Sequence, residues 1–334
     1  MSLRTCLLAT STLAIAAPAL ADVNIYTTRQ PELIQPVMDA FTAETGIAVN
    51  LAFVDDGLVE RLKAEGTRSP ADLVMTVDIA NLKQIVDADV VQPVESDVLN
   101  TAIPAALRDT DNQWFGLTTR ARVVYASRDR VADGELTTYE DLADDKWEGR
   151  ICTRSGLHNY NLALVSAMIA HLGEDGAKDW AAGVKDNLAR KPEGNDRAQV
   201  KAIWAGECDI SLGNTYYMGK MLENEEQTEW ANSVRLVFPE FEDGGSHVNV
   251  SGIALTQAAP NKEEALQLME FLVSPAAQAI YAELNYEYPV LDGAPLSELV
   301  ESWGPVTADA TDLTEIAGHR AAALRIMEEV DFDG

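Results

Sequence analysis

Positive charge is in short supply in this chain. Its 334 residues carry 25 lysines and arginines against 54 acids, a formal net charge of −29. A surplus of this size repels nucleic acid and anionic membrane, where counterion release by basic side chains supplies most of the affinity. A nucleic-acid partner is excluded. Cysteine is scarce too, three in all, with no CxxC pair or histidine cluster beside them, so a zinc site is not expected. The four histidines, His158, His171, His247 and His319, are scattered. No GxSxG, HExxH or paired-cysteine nucleophile pattern occurs, so an enzyme is not expected. Gly244-Gly245-Ser246-His247 comes nearest to a catalytic stretch and reads better as a flexible crossover. Long apolar runs are missing beyond the first 21 residues, so no later segment is expected to cross a bilayer. What remains is ordinary globular composition, 47% hydrophobic and 24% charged, on a chain long enough for two domains.

The first 21 residues follow a different pattern. Arg4 precedes the apolar run Cys6 to Ala17, and Pro18-Ala19-Leu20-Ala21 closes it with small residues. A short positive start, an apolar run too short to span a bilayer and an Ala-x-Ala end describe a secretory signal peptide, with Asp22 as the first mature residue. Cys6 lies too early for a lipid-attachment site. Export leaves two cysteines, Cys152 and Cys208. In an oxidising compartment such a pair reads as a disulfide, against the alternative of two separate buried thiols.

From Val23 onward, strand and helix patterns alternate. Strands are predicted near 23–28, 47–54 and 72–77, with helices near 33–45, 58–65 and 79–88 between and after them. A second series follows: a strand at 150–153, helices at 161–172, 176–188 and 197–205, a strand at 209–212 and a helix from Tyr217. The final third is mostly helical, with 262–273, 275–284 and 312–329. Such alternation predicts an α/β fold with mixed, mainly parallel sheets flanked by helices. Two stretches read as crossings between lobes, one around Trp114–Ala126 and one around Phe238–Asn249. The division expected is an N-terminal lobe of 22–122 plus about 248–295, a C-terminal lobe of 123–247 and a C-terminal helical segment, 296–334.

In open α/β sheets ligands bind beyond the carboxyl ends of strands. The polar residues there are Thr28, Arg29 and Gln30; Ser155, His158 and Tyr160; and Asn214, Thr215, Tyr216 and Tyr217. Arg120 and Arg122 come from the loop before the first crossing. The set holds arginines and three tyrosines but no acid cluster. Phenols ordinarily keep their proton to a pKa near 10, and only a cation of high charge stabilises the phenolate outright. Three phenolates would neutralise Fe³⁺, and an anion held by guanidinium forks would fill the remaining positions. Adjacent residues diverge by about 100° within a helix, but a strand–helix turn can aim Tyr216 and Tyr217 at one ion. Each residue also has a plainer reading: core packing for the tyrosines, surface charge or ion pairing for the arginines, a loop position for His158. Asp55-Asp56 and Glu223, Glu225 and Glu226 read as solvated faces.

Several stretches resemble the periplasmic ferric-iron-binding proteins of bacterial ABC importers. They are Ser69 to Asp78, Trp114 to Arg122, Arg154 to Asn161, Leu212 to Lys220, Val250-Ser251-Gly252 and Asn285 to Val290, so the likeness runs over essentially the whole mature chain. The resemblance implies a two-lobed, hinged type II binding fold of the transferrin-like class with Fe³⁺ in the interlobe cleft. By motif, the iron ligands are Tyr160, Tyr216 and Tyr217. Some relatives place a His-Tyr pair after the first strand's arginine. Here Gln30 and Pro31 stand there, which implies the three-tyrosine subgroup with a synergistic anion, carbonate, held by Arg29, Arg120 and Arg122. Tyr26 is left out because strand alternation turns it away from the cleft. The partners implied are the ferric ion and an inner-membrane ABC permease, and the chain is expected to be monomeric. The alternative reading is a protein of the same fold that takes an organic or inorganic anion through the arginines alone.

Overall fold

The computed structural model describes residues 21–54 and 57–334. The signal-peptide reading, Cys6 included, therefore rests on residues that, up to Leu20, lie outside the described ones, as do Asp55 and Asp56. Strands and helices alternate as the hydrophobic pattern predicts. The ten strands are β1 (Val23–Thr27), β2 (Val49–Phe53), β3 (Leu73–Thr76), β4 (Val91–Gln92), β5 (Phe115–Ser127), β6 (Ile151–Cys152), β7 (Ile210–Asn214), β8 (Val234–Val237), β9 (Val248–Thr256) and β10 (Tyr288–Pro289). Their main path runs β2-β1-β3-β9-β5-β7-β6.

The thirteen-residue β5 belongs to two sheets. Its first half, Phe115–Ala121, pairs antiparallel with β9, and its second half, Arg122–Ala126, pairs antiparallel with β7. The chain leaves the first sheet along β5 and comes back to it in β9, which pairs antiparallel with β3. This is the expected α/β, two-lobed plan with two crossings. One proportion is corrected. Among the ten described strands, parallel pairs are β1 with β2, β1 with β3, and β6 with β7, while each pair made by β5 or β9 is antiparallel. Helical crossovers produce parallel neighbours, but a strand that carries the chain out and one that brings it back necessarily run in opposite directions.

Alternation along the strands builds cores on both faces. Val23 and Ile25 of β1 and Leu73 and Met75 of β3 join a cluster with Phe41, Leu268 and Tyr281, whereas Tyr26 and Val74 face a second cluster. A third, smaller cluster surrounds the disulfide. Cys152 and Cys208 are bonded, with Cα atoms 5.8 Å apart, among Val200, Ile203, Met218 and Met221. Helices 161–172 and 176–188 are both present, on either side of a non-helical Gly173 within Asn159–Asp186. The predicted 312–329 helix is two, Leu313–Gly318 and Arg320–Glu329. No helix among the described residues is long and apolar enough to cross a membrane.

Met218 and Met221 stand on the helix Tyr216–Leu222, so the disulfide lies in the packing beneath the tyrosine pair. Closing a 56-residue loop constrains the unfolded chain by about 4 kcal/mol. Replacing both cysteines by serine should lower the unfolding free energy by about that amount, read as a drop in denaturant midpoint at constant slope. An unchanged midpoint would show that the bridge adds nothing.

Candidate functional site

A cleft of about 1120 Å³ opens between the ends of the strands of the two sheets. Tyr160, Tyr216, Tyr217, Arg29 and Arg120 all line it, together with Thr28, Gln30 and His158. The local chain explains each position. His158 caps the helix Asn159–Asp186, its Nδ1 accepting from the Tyr160 amide at 3.2 Å, which places Tyr160 in the first turn. Tyr216 and Tyr217 open a helix immediately after β7, with ring centroids 4.3 Å apart. The turn keeps the two rings side by side rather than diverging. The Tyr160 and Tyr216 hydroxyls lie 3.1 Å apart.

Both arginines of the first sheet meet at Ser251 of β9, whose Oγ accepts from Arg29 Nη1 at 2.8 Å and Arg120 Nη1 at 3.5 Å. Glu287 clasps Arg29 through two bonds of 3.1 and 2.7 Å, both partners almost fully buried. Burial lowers the pKa of the Arg29 guanidinium, but Glu287 outweighs burial and raises it above the ordinary arginine value. Arg120 donates to the Val77 carbonyl. Among the described residues Arg120 has no carboxylate within ion-pair distance, so its charge in the cleft is uncompensated.

Arg122, expected beside these two, is not in the cleft. It lies on β5 past the point where the strand changes partner, and its guanidinium is spent on buried acceptors. Nη1 donates to Asp196 Oδ2 at 2.9 Å and Asn214 Oδ1 at 3.1 Å, and Nη2 to Asn161 Oδ1 at 2.6 Å. Asp196, fully buried, also accepts from the Asn214 amide at 3.1 Å and from Arg154 Nη1 at 3.0 Å. This network joins the residue after Tyr160 to the end of the strand before Tyr216. Tyr26 is elsewhere, its hydroxyl donating to Glu65 at 3.0 Å. Ser246, beside His247, donates to the Pro239 carbonyl at 2.8 Å rather than to the imidazole.

Sequence reasoning missed Arg154, Arg197, Lys220 and Arg320, all of which line the cleft. Arg154 follows β6 and obeys the same strand-end rule that singled out Ser155. Arg320, whose Nη2 donates to Asn159 Oδ1 at 2.8 Å, comes from a helix 161 residues further along the chain and has no local signal. The cleft is thus lined by seven basic side chains against five acidic ones, in an acidic protein. Burial, reinforced by the neighbouring phenols, holds the Tyr216 hydroxyl well above the ordinary phenol value; burial and Tyr160 do the same for Tyr217. Burial and Arg154 push His158 down to about 4, so its imidazole is neutral at pH 7. Among the described residues no three His, Cys, Asp or Glu side chains gather as metal donors, whereas the hydroxyls of Tyr160 and Tyr216 do come together in the cleft.

A family model for bacterial extracellular solute-binding proteins matches residues 68–306. Iron uptake protein A1 of Synechocystis is 46% identical over 314 residues, covering 93% of this chain and 87% of that protein. The apo ferric ion-binding protein A of Pasteurella haemolytica superposes with a TM-score of 0.91 at 48% identity, over 95% of this chain and 99% of that one. A Trichodesmium protein (IdiA, FutA) in complex with iron and citrate ligands has a TM-score of 0.88 at 42% identity, over 93% and 99% of the two chains.

Removing one partner of a buried ion pair leaves an uncompensated charge. Asp196→Ala, which strands Arg122 and partly Arg154, should cost about 3–5 kcal/mol in denaturant unfolding. A cost below about 1 kcal/mol would mean the network is not what supports the tyrosine segments.

Proposed function

The chain belongs to the bacterial extracellular solute-binding proteins, and on that premise we propose that it binds Fe³⁺ in the cleft and delivers it to an inner-membrane ABC permease. The observation that carries the reading is the convergence of three phenols, from two separate strand ends, within a cleft that also holds an uncompensated arginine. Tyr160, Tyr216 and Tyr217 are the ligands in this reading. As phenolates they balance the ion's three charges, which neutral donors or a divalent ion would not call for.

Arg120 holds the synergistic anion. Its guanidinium lines the cleft and, among the described residues, has no carboxylate partner, whereas Arg122 is committed to Asp196 and Arg29 to Glu287. Arg29, its charge answered by Glu287, has a buried Nε without a hydrogen-bond partner to offer the anion. A planar oxyanion suits the guanidinium geometry. Carbonate is the anion proposed, and the citrate bound with iron in the Trichodesmium protein makes a carboxylate the competing choice. The lobes are taken as 22–122 with 248–295 and 123–247, the segment 296–334 being a C-terminal helical addition. The change of strand partner between Ala121 and Arg122 supports that division. The chain works in the periplasm, after removal of residues 1–21, as a monomer.

Uptake must expel phenolic protons, because Tyr216 and Tyr217 hold theirs far above neutrality until a trivalent ion displaces them. At least two protons should therefore leave per ferric ion, and affinity should fall as pH drops. Loading with ferric citrate should produce a tyrosinate-to-iron charge-transfer colour together with that proton release in a weakly buffered titration. Colour with no proton release would contradict phenolate ligation. Phenylalanine at 160, 216 or 217 should each weaken iron binding by at least the roughly 10–100-fold that loss of an outer-shell partner costs. Equilibrium dialysis separates the anion-only alternative. If the three variants bind anions as before and the wild-type protein takes up no iron, the arginines alone are the site.

A further inference from the structure

Tyr286 lies in a conformation that tyrosine rarely adopts. It closes the helix Pro275–Asn285 as a left-handed cap with φ 56°. What this strain positions is the ring, which lies on the backbone of Gly219 in the helix Tyr216–Leu222. A Cβ at 219 would stand 2.1 Å from Tyr286 Cδ2 and 2.2 Å from Cγ. The hydroxyl donates to Glu223 Oε1 at 2.7 Å, and Lys220 Nζ lies 5.5 Å from the ring centroid while pairing with Glu223 at 3.1 Å. Tyr286 thus grips one face of the helix that begins with the tyrosine pair.

The other end of this segment belongs to the first sheet. Glu287 holds Arg29 and accepts from Thr118 Oγ1 at 3.0 Å, and Tyr288 pairs with Thr119 of β5. The Asn285 amide side chain donates to the Leu33 carbonyl at 2.7 Å. One short stretch, 285–288, therefore fixes the arginine side of the cleft with one residue and presses on the tyrosine side with the next.

We propose that Tyr286, seated on Gly219, is a positioning residue, a strut between the two sheets that sets how closely the Tyr216-Tyr217 helix approaches Arg29 and Arg120. It rests on the ferric reading, because the quantity it controls is retention of the ion. With the ring in its seat, the phenols and the anion-holding arginine share one centre. With the seat filled or the ring gone, the helix shifts and the ligand shell loosens. Small displacements of a preorganised shell are costly, since metal affinity depends on outer contacts that orient the ligands.

Alanine is the better helix former, so helix propensity alone would make Gly219→Ala harmless or stabilising. The strut makes the opposite expectation. Gly219→Ala and Tyr286→Ala should each release iron to a competing chelator roughly tenfold faster than wild type. The charge-transfer band should also shift, which a merely structural defect would not cause. Tyr286→Phe, which keeps the ring but loses the bond to Glu223, should fall between them and wild type. In a Tyr286→Ala background the Gly219→Ala change should add little, because the ring it strikes is absent. Additive effects of the two changes in the double variant, or unchanged release and band position in both, would overturn the strut. Wild-type protein that takes up no iron would overturn the ferric reading and, with it, the retention role. A double-mutant cycle on thermal unfolding of the iron-free protein would then still report whether residues 219 and 286 are coupled. An absence of coupling there sinks the contact itself.

Discussion

The buried pair of Arg122 and Asp196 is the constraint on which the site's architecture depends. A charge taken out of water is tolerated only when its partner geometry is good and its remaining hydrogen bonds are made. Here that requirement is met by drawing acceptors from three separate segments: Asp196 at the start of a helix, Asn161 beside Tyr160, and Asn214 before the tyrosine pair. Satisfying one guanidinium thus pulls together the strand ends that carry the phenols. The disulfide works on the same assembly from the opposite side, within the cluster that supports the Tyr216–Leu222 helix. Arg122 was expected to touch an anion, and its contacts make it a foundation instead.

A second pairing sorts the remaining arginines. Glu287 neutralises Arg29 at 2.7 Å, leaving Arg120 as the buried first-sheet arginine whose charge the described residues do not answer. Neutralising both would leave the first sheet no open charge for an anion, while two uncompensated arginines side by side would repel each other and weaken the empty protein. One paired and one open is the compromise. Against it, the overall charge of −29 belongs to the surface. It adds at most weak long-range attraction for cations, screened by salt within roughly 10 Å. The cleft's surplus of basic side chains and the acidic exterior are separate features with separate causes.

The strand-end rule picked out the tyrosines because both halves of the argument are local: a short strand, two residues in β6 and five in β7, then polar residues beyond its carboxyl end. The fold class was legible for the same reason, since periodicity needs only neighbouring residues. What escaped depends on distant partners. Glu287 meets Arg29 across 258 positions, and Asp196 meets Arg122 across 74, so neither residue's role has a local signature. Arg120 and Arg122 look equivalent in sequence, two apart on one strand, and only the change of sheet between them separates their environments. The antiparallel crossing strands were hidden likewise, because direction depends on where the chain returns. The seat of Tyr286 on Gly219 belongs to the same class, a contact between remote segments that each look ordinary alone.

The central claim is that phenolates from two strand ends share one ferric ion beside Arg120. Anomalous diffraction at the iron edge from loaded crystals tests it most directly. A single iron peak is expected, bounded by the hydroxyl oxygens of Tyr160, Tyr216 and Tyr217, with an oxyanion between the metal and the Arg120 guanidinium. A peak lying elsewhere, or an ion held by carboxylates with the three phenols turned away, would contradict it.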